Sequence, residues 1–136
     1  MQLEEVKKKA KMGYLAFVPE PALITRLHQE YPPSFREVAG KHITVQFGVP
    51  SDHPLAEAER FAIVGHGTDG AIEAFVVEVD GSTQRPDGKL YHLTWSYDPA
   101  TRKAKDSGAM LAKYGFRRVE PIWFDATARF IPMGQN

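Results

Sequence analysis

Two runs of this chain, KHITVQFG and LYHLTWSYD, alternate like β-strands and carry the same pattern, His42-Ile43-Thr44 and His92-Leu93-Thr94. In a strand, residues two apart face the same side. Each tripeptide therefore sets an imidazole beside a hydroxyl, while Ile43 and Leu93 turn toward apolar packing. A fold that brings the two strands together would line one cleft with both histidines and both threonines. Such a set suits the breaking of a phosphodiester. One histidine removes a proton, the other supplies one, and the hydroxyls hold phosphoryl oxygens.

The rest of the chain bounds where that cleft can sit. At 136 residues it fits one domain, 1–136, with enough apolar content to bury a core. Lys plus Arg and Asp plus Glu number 17 each, so no bulk positive field is present to hold long nucleic acid. A small nucleotide or a short RNA end needs only a few local cations and stays open. The absence of cysteine excludes disulfides, thiolate metal sites and a cysteine nucleophile. No apolar run approaches the roughly 20 residues of a membrane span. MQLEEVKKKAKMGY lacks the apolar core of a signal peptide, which points to a cytoplasmic protein, in host cytoplasm if viral, with no membrane partner.

Residues 1–11 read as a charged, frayed leader. Gly13 to Val18 reads as a strand stopped by Pro19. Pro21 suits a helix start, and Leu23, Ile24, Leu27 and Tyr31 follow at helical spacing up to Pro32-Pro33. His42 to Gly48 is the next strand, and VPSDHPLAEAE is a loop with one helical turn. Phe61 to Val64 and Ala71 to Val79 pair as a hairpin across a turn at GHGTDG. Leu90 to Tyr97 holds the second tripeptide. Asp106 or Ser107 caps a helix through Met110 and Leu111 to Tyr114, closed by Gly115. Arg117 to Ile131 supplies one or two last strands, with Pro121 at an interruption or an edge. The order is that of an α+β fold with an antiparallel sheet, one histidine strand and one helix in each half.

Two His-x-Thr strands in a small α+β chain resemble the 2H phosphoesterase superfamily, across roughly Gly13 to Ile131. The superfamily includes RNA 2′,3′-cyclic phosphodiesterases and phage enzymes that destroy cyclic-nucleotide immune signals. The resemblance implies a two-lobed, pseudo-twofold fold with the motif strands at the floor of a groove. It implies that His42 and His92 are the catalytic pair and that Thr44 and Thr94 bind the phosphate. No metal or other cofactor is implied, because each motif lacks the second ligand that metal binding needs. The segment YHLTWSYDPATRKAKDS is similar to the phage branch, which implies base contacts from Tyr14 and Trp123, with Glu120 in the same late segment as Trp123. The substrate so implied is a cyclic nucleotide or cyclic oligonucleotide. RNA ends bearing a 2′,3′-cyclic phosphate are the alternative substrate, and a nucleotide-binding sponge without turnover is the alternative class.

Other residues carry plainer expectations. His28 belongs at a helix boundary, His53 in a loop, and His66 in turn chemistry. Trp95 shares the face of Leu93 and is expected in the core. Lys89, Arg102, Lys103 and Lys105 flank the second motif, so one of them can reach a bound phosphate. Ser107 reads as a helix cap in preference to an anion ligand. The oligomeric state is not encoded in any of these features.

Overall fold

The computed structural model describes residues 11–134; the expected leader, apart from Lys11, lies outside them. In chain order the elements are β1 (Met12–Pro19), α1 (Pro21–Glu30), β2 (Glu37–Val38), β3 (Ile43–Pro50), β4 (Phe61–Thr68) and β5 (Ile72–Val79). They continue with β6 (His92–Tyr97), a 3₁₀ turn at Ala104–Asp106, α2 (Ser107–Tyr114), β7 (Arg117–Phe124) and β8 (Ala126–Pro132). The class is α+β, as expected.

All the strands join one antiparallel sheet in the order β7-β4-β5-β6-β3-β1-β8, with β2 added beside β6. Its two outer strands, β7 and β8, are joined by the single residue Asp125, so the sheet must curl to bring its edges together. The Glu20 amide donates to the Asp125 carbonyl at 2.9 Å and fastens that corner.

Alternation sorts the side chains onto two faces. One face carries Leu15, Phe17, Ile43, Phe75, Leu93 and Trp95, packed with Leu23 and Leu27 of α1. Each such side chain, fully buried, contributes on the order of 1.5–3 kcal/mol. Trp95 is 0% exposed, and its indole N–H donates to the Tyr31 carbonyl at 2.8 Å. On the other face, Met110 and Leu111 of α2 cover Ala62, Val64, Ile72, Ala74 and Val76. The two helices thus pack on opposite faces of the sheet.

Two local expectations are corrected, and the placing of Pro121 at an edge is met. GHGTDG is not all turn: Gly65 to Thr68 continue β4, and only Asp69 to Ala71 reverse the chain. Glycine is needed there because a Cβ on Gly65 would stand 2.4 Å from the Phe116 ring, and one on Gly67 2.6 Å from Leu111. The loop after β3 forms no helical turn, and β3 itself runs on to Pro50. Pro121 lies inside β7, tolerated because β7 pairs only with β4 and its other side is an edge. No helix among the described residues is long and apolar enough to cross a membrane.

Candidate active site

The two motif strands are neighbours, and their single register pair is Ile43 with Leu93, the middle residue of each tripeptide. Because the strands run antiparallel, His42 comes level with Thr94 and Thr44 with His92. All four line one cleft of about 510 Å³. The chemistry expected of separate segments is therefore gathered about a local twofold relation at the Ile43–Leu93 pair.

His92 is half-buried. Its Nδ1 lies 3.1 Å from the Leu90 carbonyl, which can only accept, so Nδ1 carries the hydrogen. Nε2 is left for the cleft. Burial lowers the His92 pKa below its ordinary value, with Arg85 adding to the effect and the Leu90 bond opposing it. His42 is also lowered, first by burial and then by the charge of Lys41. Both rings thus favour the neutral form near pH 7.

Tyr14 is brought to the site, but as a neighbour of the histidine as well as an aromatic face. Its hydroxyl lies 3.2 Å from His42 Nδ1. Burial raises the Tyr14 pKa, so the hydroxyl keeps its hydrogen. Its ring stacks on Phe47 with centroids 5.6 Å apart and planes 16° apart.

The threonines differ. Thr94 Oγ1 lies 2.6 Å from Ser107 Oγ, and both oxygens lie within 3.3 Å of the Ala104 carbonyl. Ser107 is fully buried and makes no side-chain cap on α2, so neither of its sequence readings describes it. Its neighbour Gly108 lies against His92: a Cβ there would be 3.3 Å from the ring Cε1.

Trp123 and Glu120 do not join this cluster. Both are on β7, at the far edge of the sheet from β3. Trp123 is 56% exposed and lines a separate groove, with the Arg60 guanidinium 5.0 Å from its ring.

Among the cations flanking the second motif, Lys105 lines the cleft, while Arg102 donates to Asp69 at 3.0 Å. Residues that sequence reasoning missed also line it: Lys41, Phe47, Tyr97 and Met133. Lys41 was signalled by adjacency to His42. Phe47 and Tyr97 share a signal too, since each is an aromatic three residues beyond a motif threonine.

Among the described residues no group of three or more His, Cys, Asp or Glu side chains is placed to hold a metal ion. Fold and site together define an α+β protein whose curled sheet carries a paired His/Thr cleft. Comparisons with protein-family models, curated proteins and solved structures find no match to this chain.

Proposed function

We propose that the protein is a metal-independent phosphodiesterase of the 2H type, acting on cyclic nucleotides or cyclic oligonucleotide second messengers. The observation that carries this reading is the Ile43–Leu93 pairing, which gathers two imidazoles and two hydroxyls in one cleft. Lys41 and Lys105 at the same cleft favour an anionic substrate in a chain of zero net charge.

The roles of the histidines follow from their partners. His92 presents an unprotonated Nε2 and is the base. His42 is the acid: in its protonated form Nδ1–H donates to the Tyr14 hydroxyl oxygen, which leaves the hydrogen on Nε2 to be given up in the cleft. On a 3′,5′ linkage, the neighbouring 2′-hydroxyl gives its proton to His92 as its oxygen bonds to phosphorus. The bond from phosphorus to O5′ breaks, and His42 supplies the proton that O5′ takes. The products are a 2′,3′-cyclic phosphate and a free 5′-hydroxyl. Thr44 and Thr94 donate to the non-bridging oxygens as charge builds on them.

The test is incubation, with EDTA present, with 3′,5′- and 2′,5′-linked cyclic di- and trinucleotides and with RNA ending in a 2′,3′-cyclic phosphate. Cleavage of the cyclic oligonucleotides that is lost in both His42→Ala and His92→Ala is the expected result. Full turnover in either variant, or activity that needs a divalent ion, would end the mechanism. Preference for the RNA end would replace the substrate class, and ligands recovered intact would leave a binding protein.

A further inference from the structure

The local repeat extends further than the two tripeptides. Against β1, Gln46 pairs with Leu15 and Thr44 with Ala16, so Val45 is an extra residue in β3. Against β5, Ser96 pairs with Glu73 and Thr94 with Ala74, so Trp95 is the corresponding extra residue in β6. Each motif strand therefore bulges at the residue directly after its threonine. A bulge reverses the alternation beyond it. Without it, Phe47 would fall on the core face with Ile43 and Val45, and Tyr97 with Leu93 and Trp95. With it, both rings turn onto the face of the histidines and line the cleft.

At Phe47 hydrophobic burial alone disfavours this outcome. Phe47 is moved from a face where it could pack to one where it is 60% exposed. Its ring is propped on one side by Tyr14. The same reversal of facing occurs at the equivalent position Tyr97, whose ring lines the cleft while staying partly buried against the cluster under α2.

We propose that Phe47 and Tyr97 are a matched pair of aromatic subsites that take the two nucleobases flanking one phosphodiester, so that the ligand of this cleft is a dinucleotide unit. The inference rests on the phosphodiesterase reading for the location of the phosphate, between the histidines. It narrows the substrate to molecules with a nucleoside on each side of the phosphate, and disfavours cyclic mononucleotides.

The experiment is a binding titration with a dinucleoside monophosphate of two 2′-deoxyadenosines, which lacks the attacking hydroxyl and stays intact. Inorganic phosphate and adenosine 5′-monophosphate are titrated in parallel, all followed by amide chemical shifts. Phe47→Leu and Tyr97→Leu remove the flat ring and keep apolar bulk, alongside Phe47→Ala and Tyr97→Ala. Each variant is expected to weaken the dinucleotide by about tenfold or more, the usual effect of losing one stacked base. The two losses multiply in the double variant, while inorganic phosphate binds as in the parent. With the mononucleotide, the double variant loses no more than the worse single one.

Unchanged dinucleotide affinity in either single variant, equal losses for inorganic phosphate, or no dinucleotide binding by the parent would each overturn the inference. Turnover of ribonucleotide substrates by the parent is scored separately. Dinucleotide binding through both rings without any turnover would sink the phosphodiesterase reading and retain the aromatic pair.

Discussion

The Tyr14 hydroxyl and His42 Nδ1 are 3.2 Å apart, which ties an aromatic side chain of β1 to the histidine that opens β3. Tyr14 is within β1, which pairs with β3, and His42 is the residue immediately before β3. Their contact fixes which nitrogen of His42 faces the cleft, as the Leu90 carbonyl does for His92.

Tyr14→Phe keeps the ring that stacks on Phe47 and removes only the hydroxyl. Loss of one orienting hydrogen bond predicts a fall in kcat of about tenfold with little change in KM. Steady-state kinetics on the cleaved substrate check this. An unchanged kcat would show that His42 holds its orientation without Tyr14.

Burial gives both histidines a pH signature. With folded pKa values below the ordinary 6.5, each ring resists protonation in the folded protein and accepts it in the unfolded chain. Their contribution to stability is complete above pH 6.5 and is lost as pH falls through the folded values. Urea midpoints should therefore decline as pH falls below about 6.5, and His92→Asn should remove part of that slope. Lys41→Met should raise the His42 titration, read from its ring proton shifts, and leave His92 in place. A His42 titrating at or above 6.5 in the parent would contradict the burial argument.

Thr94 and Ser107 form one unit. Two hydroxyl hydrogens serve the Thr94–Ser107 contact of 2.6 Å and the Ala104 carbonyl. When an anionic oxygen enters, Thr94 can turn its hydrogen to it while Ser107 supplies the hydrogen between them. Ser107 is thus a positioning residue, acting through Thr94. Ser107→Ala should lower kcat/KM by about tenfold alone and add nothing in a Thr94→Val background. Losses that add in the double variant would mean that Ser107 acts only on the fold.

The motif pair was legible because a two-residue period is a local property, and a His-x-Thr pattern keeps its facing in any regular strand. What escaped was long-range. The bulges at Val45 and Trp95 exist only against their partner strands, so nothing in the alternation of the sequence brings Phe47 and Tyr97 onto the face of the histidines. Trp123 was raised by resemblance, yet strand order sets it at the opposite edge from β3. GHGTDG carried every local mark of a turn, but only Gly70 serves one; Gly65 and Gly67 answer to close packing by Phe116 and Leu111, which no local rule contains.

That packing makes Gly67 a sensitive position. A Cβ there would meet the Gly115 carbonyl at 2.7 Å as well as Leu111, and a backbone atom cannot rotate away. Gly67→Ala should destabilise the protein by about 1–3 kcal/mol through overpacking. Urea denaturation measures it. Because α2 also carries Ser107, the variant should lose turnover before it loses the fold. A wild-type midpoint would show that α2 shifts freely.

The last dependence runs from a buried carboxylate to the wall of the cleft. Residues Glu37 to Lys41 line that wall, and the chain just before them is held from within. The Ser34 amide donates to Glu73 at 2.6 Å, the Phe35 amide donates to Ser96 Oγ at 3.1 Å, and Ser96 donates to Glu73 in turn. His66 Nε2 lies 2.9 Å from the other carboxylate oxygen. Burial would raise the Glu73 pKa, but the bonds from His66, Ser34 and Ser96 outweigh it and hold the group ionised. Glu73→Gln keeps the shape but turns one acceptor into a donor facing donors. The expected cost is about 1–3 kcal/mol for the groups left unpaired. Amide exchange at Ser34 and Phe35 should accelerate while exchange in α2 does not. Uniform acceleration would instead assign Glu73 to global stability, with no particular hold on the cleft wall.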